Sequence, residues 1–273
     1  MISLTSPARS RIVRHAYPPM EIWRARHLLW NLVLRNLRIK YQHSFLGFVW
    51  TLLNPLLTIA VLVGVFRFVV RLEVPHYWAF LLSGYFVWSF VSQSLMAATA
   101  VLPEHAHLAR SVPFPAEVLV LAAVLSRSVE FALELTITVM LLVTFHHHGL
   151  PLALLWLLPL ALLHLALVFG LTLGISTLSV FFHDVQHALP IGLMILFYAS
   201  PIFYPAELVP EKALPVYLLN PFASLLTMFQ SVLYRGEAPD LRIFGAAAAL
   251  AVAIAALGYA IFRRYRSVFA EIV

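Results

Sequence analysis

Long apolar segments alternate with short polar ones along most of the chain. A transmembrane helix requires about 20 mostly apolar residues, and on that basis the pattern predicts six spans, at residues 48–70, 78–100, 116–145, 151–182, 188–203 and 241–262. The fifth is short, since at about 1.5 Å per residue it covers about 24 Å of a core of roughly 30 Å. Non-helical backbone at membrane depth needs partners from protein or water. We therefore expect the proline-rich segment 201–235 to form a re-entrant or interfacial segment on the outer face.

The segment 21–46, before the first span, has the pattern of an amphipathic helix. At about 100° per residue, four apolar side chains form one face and three arginines the other: Leu29, Leu32, Val33 and Leu37 against Arg24, Arg35 and Arg38. Such a helix lies in the membrane interface, with its apolar face toward lipid and its cations toward headgroups, cytosol or a partner protein. Residues 1–20 contain three prolines and predict an irregular cytoplasmic arm, which leaves 47–273 as the transmembrane domain.

Composition and charge agree with an all-α integral membrane protein. The 273 residues are 62% hydrophobic and only 11% charged, whereas a soluble domain has about 25% charged residues. Eight cations and a single acid precede Gly47, and three arginines follow the last span. Cytoplasmic loops are the ones enriched in Lys and Arg. Six spans with both termini in the cytoplasm satisfy this rule.

Span three carries three ionisable residues on one helical face. Arg127, Glu130 and Glu134 stand at positions i, i+3 and i+7, so Arg127 is placed to pair with Glu130, with Glu134 one turn further on. Ionised groups in hydrocarbon are costly, and this face is therefore expected to look into protein or water. Two interpretations stay open, a functional site and a structural ion pair.

The sequence favours no enzyme. Cysteine is absent, and the patterns G-x-x-x-x-G-K-[ST], G-x-S-x-G and H-E-x-x-H do not occur. The two aspartates, Asp184 and Asp240, are far apart. Three consecutive histidines on a turn, residues 146–148, cannot all converge on one ion. We expect no catalytic, cofactor or metal site in this chain, so that any chemical energy comes from a partner.

An ordered set of short motifs resembles the permease subunits of ABC transporters that export polysaccharides such as O-antigen, the type-two ABC exporters. The motifs are Leu34-Arg35, Tyr41, Ser44, Leu46-Gly47, Trp50, Asn54-Pro55-Leu56, Phe114-Pro115, His183-Asp184-Val185, the segments 200–205 and 209–211, and Asn220-Pro221-Phe222. One departure is His183-Asp184, where those families often carry an Arg-Asp pair, so a salt bridge there would depend on pH.

The resemblance implies a homodimer that binds two copies of an ATP-binding-cassette subunit, which holds ATP and Mg²⁺. It implies location in the bacterial inner membrane and a lipid-linked glycan as substrate. It also assigns contacts with the ATPase subunit to seven residues: Arg35, Arg38, Tyr41, Arg110, Val112, Pro113 and Phe114. The alternative for the arginines is simple anchoring at anionic headgroups.

The resemblance places spans one and five near the dimer axis, with the glycan passing between the two copies. Sugar rings stack on aromatic faces, so the candidate residues of the translocation path are Trp50, Tyr198, Phe203 and Tyr204; plain packing is the alternative for each. Other interpretations stay open: the same architecture moving a drug, lipid or teichoic acid, or an ion-coupled secondary transporter that uses the charged face of span three. The latter is expected to contain internal repeats. None is evident.

Overall fold

The computed structural model describes residues 23–42, 47, 49–104, 116–147, 151–210 and 212–272. All regular secondary structure in this part of the chain is helical. The α-helices are α1 (Arg26–Tyr41), α2 (Val49–Gly64), α3 (Tyr77–Glu104), α4 (Glu117–Leu142), α5 (Leu157–Phe181), α6 (Val185–Tyr198), α7 (Leu214–Tyr217), α8 (Pro221–Gln230) and α9 (Leu241–Ile272). Turns of π-helix continue α2, α4 and α8 to Val69, His147 and Arg235, and a 3₁₀ turn, Leu152–Trp156, leads into α5.

Five helical segments among the described residues are long and apolar enough to cross a membrane: Val49–Val69, Tyr77–Glu104, Glu117–His146, Leu152–Phe181 and Leu241–Arg266. They confirm five of the six predicted spans and the all-helical membrane class. The remaining predicted span corresponds to α6, which has only 14 residues and covers about 21 Å at about 1.5 Å per residue. A sixth crossing and the re-entrant segment therefore stay predictions.

Helix α3 forms the centre of the fold. In its most apolar 18-residue stretch 67% of residues are buried, against 17% for α2 and for α9. It packs against α2, α4, α5 and α8. His164 of α5 is fully buried beside it, with Nε2 3.2 Å from the carbonyl oxygen of Val87 and its ring packed on Phe90 and Phe131. One nitrogen of this buried ring is thus paired with backbone, whereas Nδ1 has no hydrogen-bond partner among the described residues.

Helices α5 and α9 cross at two glycines. A Cβ built on Gly258 would lie 2.8 Å from the carbonyl carbon of Gly170, and one built on Gly170 would lie 2.8 Å from the carbonyl oxygen of Ile254. The two backbones are therefore in direct contact. Small residues allow this approach between membrane helices, where packing rather than the hydrophobic effect drives association.

The amphipathic helix α1 packs on the protein. Leu32 and Val33 are buried, Leu29 and Leu37 are half-buried, and the hydroxyl of Ser126 in α4 donates to the carbonyl oxygen of Val33 at 3.5 Å. The three arginines of the predicted polar face are exposed: Arg24, Arg35 and Arg38. The expectation that the apolar face meets lipid is wrong, because that face fills a cluster formed with α4, α5 and the end of α9.

Polar side chains satisfy the irregular backbone after α6. Asn220 caps α8, since its Oδ1 accepts from the amide of Phe222 at 3.0 Å, and its Nδ2 donates to the hydroxyl of Ser200 at 3.1 Å. Gln230 Nε2 donates to the carbonyl oxygen of Pro201 at 2.6 Å. These bonds hold the segment after α6 against α8, with its polar groups paired inside the protein.

Candidate functional site

An ionic cluster joins the end of α1 to the middle of α4. Lys40 Nζ donates to both carboxylate oxygens of Glu130, at 2.9 and 2.8 Å. Arg127 Nη1 lies 2.9 Å from Glu130 Oε2, the i, i+3 contact that the sequence predicts. The Glu130 side chain is only 5% exposed, against 34% for Lys40. One buried carboxylate is therefore shared by two cations, one from each helix.

Gln93 extends the cluster to α3. Its Oε1 accepts from Arg127 Nη1 at 3.0 Å, and its Nε2 donates to the hydroxyl of Ser89 at 2.7 Å. Both ends of the amide are engaged, so its orientation is fixed. The cluster thus connects α1, α3 and α4 through side chains alone.

Burial opposes the charge of Lys40, whereas Glu130 favours it. Desolvation lowers the pKa of the Lys40 ammonium from its ordinary value, and the hydrogen bond to Glu130 acts in the opposite direction. A cation placed here costs desolvation energy, which the carboxylate partner offsets. Loss of Glu130 would leave that cost without compensation.

Glu134 completes the predicted charged face. It lies one turn beyond Glu130 on α4 and is 2% exposed, and its backbone oxygen accepts from the hydroxyl of Thr138 at 2.8 Å. The structure therefore brings all three predicted ionisable residues to one buried side of α4. Lys40 is not among the predicted site residues, because it lies 90 residues from Glu130 and no spacing in the sequence connects the two.

Two polar cavities flank the cluster. The first, here called the α2–α3 cavity, has a volume of about 430 Å³. Its lining combines aromatic, amide, hydroxyl and ammonium groups: Lys40, Trp50, Asn54, Tyr85, Ser92 and Gln93. The second, of about 400 Å³, lies among α1, α3 and α4 and includes Arg35, Arg127 and Glu130. Lys40 lines both cavities, so the cluster forms the wall between them.

The predicted path residues separate into two places. Tyr198 is exposed at the end of α6, the ring of Phe203 lies 5.6 Å from it and 5.0 Å from Tyr204, and the Tyr204 hydroxyl donates to the Tyr198 carbonyl oxygen at 3.1 Å. These three form one aromatic group. Trp50, 47% exposed, lines the α2–α3 cavity instead.

The predicted ATPase contacts lie only partly within the described residues. Arg35 and Arg38 are exposed on α1, and Tyr41 ends that helix. The side chain of Tyr41 and the segment 105–115, with Arg110, Val112, Pro113 and Phe114, lie outside the described residues.

Of the three adjacent histidines, His146 is the one whose side chain the structure describes. Its Nε2 lies 2.8 Å from the carbonyl oxygen of Tyr234, and its ring stacks on the Tyr234 ring at 5.2 Å between centroids. Among the described side chains no group of three or more His, Cys, Asp or Glu residues is arranged to hold a metal ion.

Membrane-length helices around a buried charged cluster with adjoining polar cavities are typical of a membrane transport protein. Residues 27–234 match the family described as the ABC-2 type transporter, and the chain belongs to that family. It is 32% identical over 254 residues to the O-antigen export system permease protein RfbA of Myxococcus xanthus, with 92% of this chain and 97% of that protein covered. It is 27% identical over 249 residues to the Klebsiella pneumoniae protein of the same name, covering 90% and 95%.

Proposed function

We propose that the chain is the permease subunit of an ATP-driven exporter that moves a lipid-linked, O-antigen-like polysaccharide across the bacterial inner membrane. The observation that carries the proposal is similarity over almost the whole chain to two permease proteins of O-antigen export systems. Because the sequence contains no P-loop, a separate ATP-binding-cassette subunit binds ATP and Mg²⁺ and supplies the energy.

The working unit is a homodimer of this chain with two ATPase subunits. Two helices support it by their exposure, since Leu193 is the one buried residue of α6 and α2 buries only Thr51, Pro55 and Ile59. The exposed part of α2 includes Asn54. An amide facing lipid is costly, and Asn54 lines the α2–α3 cavity, so this side of α2 faces an aqueous path near the dimer axis.

The chain crosses the membrane six times and keeps both termini in the cytoplasm. The contacts of α8 support a re-entrant segment before the last span. The ring of Phe222 at its start packs on Trp88, 5.7 Å between centroids, while the Tyr234 hydroxyl beyond its end donates to the Pro75 carbonyl oxygen at 2.7 Å. Trp88 lies eleven residues into α3 from Tyr77, a depth of about 16 Å at about 1.5 Å per residue. Helix α8 therefore returns toward the outer end of α3 without crossing.

The ATPase subunit docks on the polar face of α1 and on the segment after α3. Arg35 and Arg38 supply exposed positive charge there, and the resemblance adds the roles of Tyr41 and of residues 110 and 112–114. The glycan passes the aromatic groups at Trp50, Tyr198, Phe203 and Tyr204, whose flat faces allow sugar rings to slide.

Co-expression with the ATP-binding-cassette subunit tests this function. We expect the two proteins to copurify, and we expect cells to export glycan only when both are present and ATP hydrolysis is intact. Arg38→Glu and Arg110→Glu should each weaken copurification at least fivefold, because they reverse charge in the docking region. Arg264→Glu is the matched control, since it reverses an exposed charge at the end of α9, as Arg38→Glu does on α1.

Export of glycan by the chain without an ATPase subunit would contradict the proposal. Cargo is tested on the purified complex, where lipid-linked glycan should stimulate ATP hydrolysis. Stimulation by a drug or a simple lipid and not by the glycan would favour the alternative cargo.

A further inference from the structure

We propose that the α2–α3 cavity is a binding site for one neutral sugar ring of the transported glycan, separate from the aromatic group at the end of α6. The inference rests on the proposed function. It concerns a site within a single copy of the chain, formed by the first half of α2 and the middle of α3. With the N-terminus in the cytoplasm, this site lies in the cytoplasmic half of the membrane, where the substrate arrives.

The lining has the chemistry that sugar recognition requires. Trp50 and Tyr85 supply aromatic surface from the two facing helices, and Asn54, Ser92 and Gln93 supply amide and hydroxyl groups. A pyranose has apolar C–H faces and a rim of hydroxyls, so it matches aromatic faces combined with neutral donors and acceptors. The volume of about 430 Å³ lies within the roughly 300–1,000 Å³ range of small-molecule pockets.

The amide of Gln93 is held in place before a ligand binds. Its Oε1 accepts from Arg127, and one N–H donates to Ser89, which leaves its second N–H without a partner among the described residues. The Asn54 side chain also makes no hydrogen bond within that part of the chain. A polar group unpaired at membrane depth is costly, and sugar hydroxyls are suitable partners for both amides.

The charges select a neutral ligand rather than an anion. Lys40 is the one cation among the described lining residues, and its ammonium donates to both oxygens of the Glu130 carboxylate. A phosphate group would have to compete with that carboxylate, whereas a sugar hydroxyl does not. The ionic cluster contributes to this site through Arg127, a positioning residue that orients Gln93.

The test uses the full chain in lipid nanodiscs and octyl β-D-glucoside below its critical micelle concentration as the probe. Octyl tetraethylene glycol, with the same tail and no sugar, is the matched control ligand. We expect a saturable change in tryptophan fluorescence with the glucoside and no such change with octyl tetraethylene glycol. The signal should disappear in Trp50→Phe and persist in Trp156→Phe, because Trp156 packs on Phe244 and does not line the cavity.

The affinity for the glucoside is measured in variants that keep Trp50, whose fluorescence reports binding. Gln93→Leu is expected to raise the apparent Kd for the glucoside at least fivefold, and Gln186→Leu, an exposed glutamine of α6, should leave it unchanged. Arg127→Met should raise the apparent Kd at least threefold, although Arg127 does not line the cavity. Each variant is first checked for an unchanged elution profile, so that a change in Kd reports on the site.

Three outcomes would overturn the site: equal responses to the two ligands, a full response in Trp50→Phe, or an unchanged Kd in Gln93→Leu. An unchanged Kd in Arg127→Met would overturn the positioning role. ATP-driven export is assayed in parallel with the wild-type complex. Absent glucoside binding with intact export refutes the site alone, whereas absent export refutes the exporter itself.

Discussion

Gly258→Ala should destabilise the protein, although alanine is the better helix former. The added methyl would lie 2.8 Å from the carbonyl carbon of Gly170 and 3.1 Å from its Cα, where ordinary contact begins at 3.4 Å. Both atoms belong to the backbone of α5, so no side chain can rotate away. The helices must separate along their contact, and such overpacking costs about 1–3 kcal/mol.

Two control variants isolate that cost from helix propensity. Replacing glycine by alanine in a helix contributes up to about 1 kcal/mol, and a Cβ at Gly174 of α5 or at Gly245 of α9 meets nothing within 4 Å. Gly174→Ala and Gly245→Ala should therefore be neutral or stabilising. The difference between Gly258→Ala and these controls is expected to be the overpacking cost of about 1–3 kcal/mol.

Reversible unfolding in mixed detergent and sodium dodecyl sulfate micelles, followed by circular dichroism, measures this difference. Gly170→Ala should behave as Gly258→Ala does, since its methyl meets the backbone at Ile254. Equal free energies of unfolding for the crossing variants and their controls would refute the argument that α5 and α9 meet at their backbones.

Three further predictions concern polar contacts. Glu130→Gln should lower the free energy of unfolding by about 3 kcal/mol. This value is at the low end for a broken buried ion pair, because the Lys40 side chain is a third exposed. Thermal melting in detergent measures the loss, and an unchanged melting temperature would contradict the prediction. Asn220→Ala should cost about 1 kcal/mol through loss of the helix cap, with Asn220→Ser retaining most of it in the same assay. Arg266→Met removes the partner that lies 3.1 Å from the Glu117 carboxylate, whose side chain is only 4% exposed, and should lower the free energy of unfolding by more than about 1 kcal/mol. Arg264 is exposed, so Arg264→Met should change it by no more than about 0.5 kcal/mol.

Bilayer thickness makes the spans of this chain predictable. Apolar length alone locates five of them, and most of their ends are correct to within a few residues. The exception is α9, which continues to Ile272, ten residues beyond its predicted end. Local spacing likewise predicts the contact of Arg127 with Glu130, because residues three apart on a helix are neighbours. Both predictions depend only on geometry within one helix.

Contacts between different helices cannot be predicted from the pattern of apolar and polar residues. Lys40 has the sequence signature of an interface cation, yet it extends into the protein to reach Glu130, 90 residues away. The apolar face of α1 has the same periodicity whether it meets lipid or the cluster around Phe262 and Phe269. Nor does spacing pair Gly170 with Gly258, since their contact depends on how α5 and α9 cross.

That crossing limits how the subunit can change shape. Two helices whose main chains touch cannot slide or rotate past each other without steric overlap, so α5 and α9 are expected to move as one rigid body. Helices α2 and α6 lack such a constraint within the chain, since few of their residues are buried. In a transport cycle, α2 and α6 would then move relative to α5 and α9. Cross-links between α5 and α9 should leave turnover intact, whereas cross-links that tether α2 or α6 to the rest of the chain should stop it.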